Sequence, residues 1–296
     1  MGTVKAQMNM LSEAHSVEIA SRLAHLTEYF QYGFVRNALI VTVLISLCAA
    51  LVGVVLVLRR FSLIGDGLSH VAFGAAAIAA TVGVFDMSLT LPATVLAAVL
   101  ILWTGKKRRL MGDAVIATLS AGALSVGYLI LDAGGGASNL GGDVCTALFG
   151  SSAILSIDTN ELILTAAVTA VLIALTAVFY YKIFSLTFDE SFARATGTHA
   201  DAYNLAIAII TAVVIVLGMK LAGALLMSAL IVFPAACAMK VCRGFRNTMI
   251  VASVTGVVCA VFGVLLSILL ETPVGATVAV TDVLAFALFS ISGRHR

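Results

Sequence analysis

The stretch NALIVTVLISLCAALVGVVLVLRRFSLIGDGLSHVAFGAAA, residues 37–77, combines two contrasting features. Its first 22 residues carry no charge, and a helix needs about 20 apolar residues to cross the hydrocarbon core of a bilayer. Arg59 and Arg60 end that run. A second apolar run follows at once, and it contains Asp66 and His70. The stretch therefore predicts membrane helices, with a carboxylate and an imidazole inside one of them.

The whole chain has the composition of a protein that crosses a membrane many times. Of its 296 residues, 61% are hydrophobic and 11% are charged, whereas soluble domains have about 25% charged residues. The mean hydropathy is +1.12. We predict an all-α fold in which eight to nine transmembrane helices form one bundle. The candidate spans are 37–58, 62–84, 89–105, 113–132, 160–181, 202–219, 221–241, 248–270 and 274–292.

The distribution of lysine and arginine predicts the orientation of these spans. With the N-terminus outside and the C-terminus in the cytoplasm, 13 of the 17 basic residues fall on the cytoplasmic side. The net charge of +2 is too small to indicate a nucleic-acid partner. The five cysteines form no CxxC pair, so neither a disulfide framework nor a zinc knuckle is predicted.

The spans divide the chain into three predicted parts. Residues 1–33 have apolar side chains at helical spacing and are typical of an amphipathic helix at the membrane surface. Residues 34–293 form a single transmembrane domain. Residues 294–296 form a basic C-terminal tail.

Asp66 and His70 are the strongest candidates for a functional site. Four residues along an α-helix turn by about 400°, so the two side chains project within about 40° of each other. An aspartate inside a membrane costs roughly 2.5–3.5 kcal/mol on insertion scales and needs a partner or a water path. Carboxylate and imidazole suit zinc, manganese or iron. A metal in a transport path and a hydrogen-bonded pair that joins helices both remain open, and two copies of the chain would supply four ligands.

Small residues near the pair indicate close approach of another backbone or of a hydrated ion. Gly65, Gly67 and Gly74 would have this role in one span, and the segment of a later span that contains Gly223 would pack tightly near the pore, where Pro234 should kink the helix or free a carbonyl. Ordinary helix packing is the alternative for all five.

A polar segment on the predicted cytoplasmic side interrupts the apolar pattern at residues 185–204. Within it, residues 187–197 predict a short helix that Asp189 caps and Gly197 ends. Such a helix would contact a soluble partner, and an ordinary structured loop is the alternative. The candidate contact residues are Phe188, Asp189, Glu190, Phe192, Arg194 and Gly197.

Two further acidic residues lie near or within predicted spans. Glu271, at an outer span end, would help to admit cations or would belong to a solvated turn. Asp282 lies inside the last span and needs a partner there, and the sequence assigns it no function.

Four motifs in order resemble the permease subunits of bacterial ATP-binding-cassette importers for zinc, manganese and iron(II). LRRFSLIGDGLSH corresponds to the family's arginine-containing end of the first span followed by Gly-Asp-x-x-Ser-His. FDESFARATG corresponds to FDxxxAxxxG, AGALLMSALIVFPAACA to VGxLLxxALLxxPAATA, and ETPVG to a DTPxG-like turn. The similarity extends from about residue 37 to 292.

The resemblance implies a function for two of these motifs. Asp66 and His70 occupy the positions held to coordinate the metal in the translocation path. FDESFARATG matches the element that docks in a groove of the ATPase subunit. The fold would be that of the vitamin-B12-importer-like permeases, in a homodimer or in a heterodimer with a sister permease. An extracytoplasmic binding protein would deliver the metal, in the bacterial cytoplasmic membrane.

The chain itself has no Walker motif, so a separate ATPase would supply the energy and the chain would not be an enzyme. No cofactor is expected to be permanently bound. GMKLAG is similar to zinc-type relatives and favours Zn²⁺ over Mn²⁺ or Fe²⁺ as the transported ion. Two residues depart from the family pattern: Gly74 stands at a proline position, and Asp282 stands where a neutral residue is usual.

Two alternative functions come from other classes. In a proton-coupled secondary transporter, Asp66, His70 and Asp282 would form a proton relay. An intramembrane hydrolase has no support, because the chain contains neither HExxH nor GxSxG.

Overall fold

The computed structural model describes residues 31–82, 87–107, 112–133 and 159–292. These residues form eleven α-helices, which we number in chain order. They are α1 (Gly33–Leu58), α2 (Ile64–Val82), α3 (Met87–Lys107), α4 (Gly112–Ala133), α5 (Thr159–Val178), α6 (Tyr180–Phe188), α7 (Glu190–Ala195), α8 (Ala200–Ala222), α9 (Ala224–Val241), α10 (Phe245–Leu270) and α11 (Val274–Ser292). The predicted amphipathic helix at 1–33 and the tail at 294–296 lie essentially outside the described residues.

Each of the nine predicted spans coincides with one of these helices. Five of them, α1, α5, α8, α10 and α11, are long and apolar enough to cross a membrane, and α2, α3, α4 and α9 contain shorter apolar segments. The prediction of an all-helical membrane bundle is confirmed. α6 and α7 are the remaining two, and they lie between α5 and α8.

The centre of the bundle is built around α1 and α9. α1 packs against α5, α8, α9 and α10, and α9 also packs against α2, α10 and α11. Side chains of several helices meet in one apolar core that includes Ile45, Val52, Leu68, Leu230 and Ile231, all at most 6% exposed. The helices pack this closely because small residues stand at their crossings.

Gly53 and Gly65 occupy the closest crossing, where α1 and α2 both rest on Ile231 of α9. A Cβ added at Gly53 would fall on the carbonyl oxygen of Ile231, and one at Gly65 would lie 3.1 Å from its Cδ1 atom. Both glycines therefore set the distance between these helices, and Ile231 fixes α1 and α2 relative to each other.

Candidate functional site

The helix that carries Asp66 and His70 begins later than the sequence indicates. We predict a span from residue 62, whereas α2 begins at Ile64. The reason is a turn that closes α1: Arg60 adopts a left-handed conformation with φ 62°, and the Phe61 amide donates to the carbonyl of Leu56 at 2.9 Å. Asp66 therefore lies in the first turn of α2, where the helix dipole favours a negative charge.

Asp66 and His70 are neighbours one turn apart, as their spacing predicts. His70 Nε2 lies 3.5 Å from Asp66 Oδ1. A third residue joins them: the Ser228 hydroxyl of α9 donates to the same Oδ1 atom at 3.1 Å. His70 Nδ1 is buried and has no hydrogen-bond partner within the described structure. The carboxylate is thus oriented by a neighbouring helix, while the imidazole keeps an unused nitrogen.

The pair lies on the open face of α2, between α9 and α4. On one side Gly65 packs against Ile231 of α9. On the other side Cβ atoms added at Gly67 and Gly74 would lie 2.6 Å from Ile116 Cγ2 and 2.5 Å from the carbonyl oxygen of Ala123, both in α4. The side chain of Asp66 remains 45% exposed in the gap between them, and that of His70 is 15% exposed. The three glycines therefore hold the flanking helices close without covering the carboxylate.

The arrangement offers two metal ligands from one chain. No group of three or more histidine, cysteine or acidic side chains is placed to hold a metal ion in the part of the chain that the structure describes. A carboxylate and an imidazole are suitable donors for divalent transition metals. One copy of the chain can therefore contact such an ion at the open face without enclosing it.

The polar segment after α6 forms a short helix, α7. Asp189 caps it, since its Oδ1 accepts a hydrogen bond from the Phe192 amide at 2.9 Å. Gly197 follows the helix with φ 82°, a conformation that glycine adopts without strain. Ala193 is completely buried and packs with Leu186. The position of α7 is thereby fixed against its neighbours.

Two aromatic side chains of this segment are largely exposed although they lie outside the candidate membrane-spanning helices. Phe188 is 60% exposed and Phe192 is 59% exposed. Phe188 packs on one side against Phe184 and Phe245, with ring centroids 5.0 and 6.1 Å away. An apolar knob of this kind is typical of a surface that a partner covers.

Charged residues connect α7 to its surroundings. Glu190 Oε1 accepts from Arg194 at 2.7 Å, and Arg194 also pairs with Asp201 of α8 at 2.5 Å. The arginines and their hydrogen bonds outweigh the burial of Glu190 and hold its carboxyl pKa below the usual value. The hydrogen bonds from Glu190 and Asp201 raise the pKa of Arg194. Both pKa shifts favour the charged forms of Glu190 and Arg194 at neutral pH.

Gly223, Pro234 and Glu271 do not join the pair on α2. Gly223 separates α8 from α9 with φ 91° and ψ 154°, a region that is essentially restricted to glycine. Pro234 lies inside α9 beside Gly256 of α10. Glu271 is exposed in the turn between α10 and α11, with φ 52°.

Asp282 is a buried carboxyl in α11, 1% exposed. Neither of its oxygens has a partner with hydrogen-bond geometry among the described residues. The thiols of Cys237 and Cys259 are close enough to interact with it electrostatically, but a thiol is only a weak hydrogen-bond donor. The carboxyl is therefore an unusual feature of this bundle, separate from the Asp66 pair.

The sequence does not identify Ser228 as a partner of Asp66. The two residues are 162 positions apart, and a serine among small residues is equally typical of helix packing. The same holds for Asn204, which accepts a hydrogen bond from Arg59 at 2.7 Å across 145 positions. Neither pair has a local spacing that a sequence pattern could reveal.

Comparisons with known proteins identify the family to which this chain belongs. The model of the ABC 3 transport family matches residues 31–293. A probable metal transport system membrane protein of Treponema pallidum is 29% identical over 87% of this chain and 95% of its own length. The manganese import system permease protein ScaB of Streptococcus parasanguinis is 24% identical over 90% of this chain and 93% of its own length.

A solved structure has the same fold. A chain of PsaBC from Streptococcus pneumoniae, in complex with Fab, superimposes with a TM-score of 0.78 at 24% identity, over 92% of this chain and 95% of that one. The match to the family model covers nearly the whole described bundle, including α2, α7 and α9. The chain therefore belongs to the ABC 3 transport family, as a multi-pass permease subunit of metal ATP-binding-cassette importers.

Proposed function

We propose that the chain forms the membrane pathway of an importer that moves a divalent transition metal into the bacterial cytoplasm. The supporting observation is the pair Asp66 and His70 on the open face of α2, with Ser228 orienting the carboxylate. A carboxylate 45% exposed on a membrane helix is costly in contact with lipid. The carboxylate is less costly when it faces a water-filled pathway. A second copy of the chain, or a sister permease, would complete both that pathway and the set of metal ligands.

The energy comes from a separate ATPase that docks on α7. Phe188 and Phe192 provide the apolar part of this surface, and the charges of Glu190 and Arg194 lie beside them. An extracytoplasmic binding protein supplies the ion from the opposite side. ATP binding to the ATPase then changes the balance between the inward-facing and outward-facing states of the permease, because the ATPase contacts these two states differently. The chain itself makes and breaks no covalent bond.

The distribution of basic residues supports a cytoplasmic location for α7. Phe245, at the start of α10, packs against Tyr180 and Phe188, so the turn with Arg243 lies at the same end of the bundle as α6 and α7. Arg59 lies there too, because it contacts Glu190. Basic residues gathered at one end are typical of the cytoplasmic side, which supports an outer position for the start of α1.

The transported ion is best sought among manganese, zinc and iron(II). The relatives ScaB of Streptococcus parasanguinis and MntC of Halalkalibacterium halodurans are described as manganese transport proteins, whereas the GMKLAG segment favours zinc. The test is a reconstitution of the permease with its ATPase and binding protein in liposomes. ATP is supplied on the side of the membrane where the ATPase is bound, and the binding protein on the opposite side. Uptake of Mn²⁺, Zn²⁺ or Fe²⁺ that requires ATP supports the proposal. Absence of ATP-dependent uptake of all three ions contradicts it.

Ser228→Ala should weaken the apparent affinity for Mn²⁺ in this assay. The substitution removes the donor that orients Asp66 Oδ1, and loss of an outer hydrogen bond at a metal site costs roughly 10–100-fold in affinity. We expect an increase of about tenfold in the KM for uptake. Ser69→Ala is the matched control, because the Ser69 hydroxyl donates to the backbone carbonyl of Asp66 and not to its carboxylate. Equal KM values for the two variants would contradict the role of Ser228.

Asp282→Leu distinguishes the importer from a proton-coupled transporter. The buried Asp282 carboxyl, which has no partner with hydrogen-bond geometry among the described residues, is the observation that favours a proton relay. In the importer its removal should leave ATP-driven uptake intact and stabilise the protein by about 1–3 kcal/mol, the cost of an unsatisfied buried polar group. Uptake and the thermal unfolding of the protein in detergent are measured together, with Asp282→Asn as the variant that keeps a buried polar group. Loss of uptake in Asp282→Leu, with wild-type uptake that follows the proton gradient, would favour the relay.

A further inference from the structure

The turn between α1 and α2 lies between the proposed ATPase-docking segment, which Arg59 contacts, and the proposed metal-binding residues of α2. Arg59 ends α1, and Asp66 follows only seven residues later. The intervening backbone is closely constrained: the Arg60 amide donates to Val57 at 3.0 Å, and the Phe61 amide donates to Leu56 at 2.9 Å. A non-glycine residue in the left-handed conformation, here Arg60 with φ 62°, persists only where its surroundings hold it. A displacement of Arg59 is therefore transmitted to the start of α2.

The side chain of Arg59 points away from solvent and toward the coupling segment. It is 10% exposed, and its Nη2 atom donates to Asn204 Oδ1 at 2.7 Å and to Glu190 Oε2 at 3.4 Å. Burial lowers the pKa of Arg59, and the charge of Glu190 opposes that effect. An arginine remains protonated in proteins, so this buried charge depends on its two partners.

Glu190 is shared between α7 and the turn. Its Oε1 atom pairs with Arg194 of the same helix, and Arg194 pairs in turn with Asp201 in the first turn of α8. One carboxylate therefore links Arg59 to a network that spans α7 and α8. If α7 moves, Glu190 moves with it, and the contact with Arg59 must move or break.

A cavity of about 500 Å³ lies next to this contact. α2 lines it with Ile64 and Leu68, and Arg59 and Glu190 also line it. Ile64 and Leu68 are each two residues from Asp66, which is about 200° of helix rotation, so the cavity lies behind the metal-binding face. Space behind α2 allows the helix to shift when its polar attachment to α7 is displaced.

We infer that Arg59 is a positioning residue that transmits movements of α7 to α2 and so to Asp66 and His70. This inference rests on the proposed function, because it assigns the link between the ATPase surface and the metal site within one chain. The inference predicts a specific defect when this contact is removed. ATP hydrolysis continues, but it no longer moves Asp66 and His70, so less metal is imported for each ATP hydrolysed.

The test compares Arg59→Gln, Glu190→Gln and the double variant with wild type, each reconstituted with the ATPase and the binding protein. The measured quantity is the number of Mn²⁺ ions imported per ATP hydrolysed. We expect Arg59→Gln to lower this ratio about tenfold, which lies within the range of typical coupling free energies between two sites. The ATPase rate should stay within about twofold of wild type. The double variant should be no worse than Arg59→Gln, because both substitutions remove the same contact. Arg59→Lys keeps the charge and should restore part of the ratio.

Arg60→Gln is the matched control. Arg60 is the adjacent arginine of the same turn and is exposed, so its ratio should equal that of wild type. A wild-type ratio in Arg59→Gln, or additive effects in the double variant, would overturn the inference. If Arg59→Gln does not give a monodisperse protein, Glu190→Gln decides when compared with Arg194→Gln, which removes the other partner of Glu190 and leaves its contact with Arg59 in place. Failure of wild type itself to import metal with ATP would overturn the proposed function instead.

Discussion

Asp66→Asn is expected to abolish ATP-driven import of Mn²⁺ while leaving the assembled transporter intact. Asparagine has the shape of aspartate and can still accept the hydrogen bond from Ser228, but it lacks the negative charge that attracts a dication. Loss of a direct ligand should exceed the roughly 10–100-fold effect of losing an outer partner. The measurement is the initial rate of uptake into liposomes, together with the rate of ATP hydrolysis.

The matched control for this variant is Asp132→Asn. Asp132 is an exposed aspartate near the end of α4, so the same chemical change there should leave uptake within about twofold of wild type. His70→Ala provides an independent test of the second ligand and should give a similar loss. Wild-type uptake by Asp66→Asn and His70→Ala would remove the assignment of the metal pathway to the open face of α2.

Gly53→Ala is expected to have the largest effect on assembly of the bundle. The added methyl group would fall on the carbonyl oxygen of Ile231, and a backbone atom cannot rotate away as a side chain can. Overpacking typically costs about 1–3 kcal/mol, and more where the backbone has to move. We expect a lower yield of monodisperse protein and a lower unfolding temperature in detergent.

Gly122→Ala in α4 is the control for Gly53→Ala. A Cβ at Gly122 has no neighbour within 4 Å. Both substitutions gain the same helix propensity, up to about 1 kcal/mol, so the difference between them isolates the contact with Ile231. Equal unfolding temperatures would mean that α1 and α9 are not held at the distance described.

The sequence predicts the elements of this fold well, because each signal is local. Apolar run lengths identify nine of the eleven helices that the described residues form, and the spacing of Asp66 and His70 places both on one helix face. The cap at Asp189 follows from its position before a short helical segment. The beginning of α2 is predicted two residues early, because the left-handed turn at Arg60 is made by an arginine and not by the glycine that usually marks such a turn.

The sequence does not predict which helices face one another. Gly67 and Gly74 are identified as sites of close approach, but only the structure shows that they face α4, whereas Gly65 faces α9. The contacts of Ser228 with Asp66 and of Arg59 with Glu190 join positions more than 130 residues apart. Tertiary packing alone creates such pairs. The proximity of Asp66 and His70 could therefore be predicted, but not the contact with Ser228 that orients Asp66.

The openness of the Asp66 face has a consequence for how ions are discriminated. Carboxylate and imidazole donors, even when a second copy completes the proposed set, would bind divalent ions in the order of the Irving–Williams series, in which manganese is the weakest binder and copper the strongest. Competition at α2 would consequently favour the wrong ion if the outside mixture reached it unfiltered. If manganese is the transported ion, the preference for it has to be imposed before the ion reaches the membrane, and copper that bypasses this selection should bind tightly at the site and block transport.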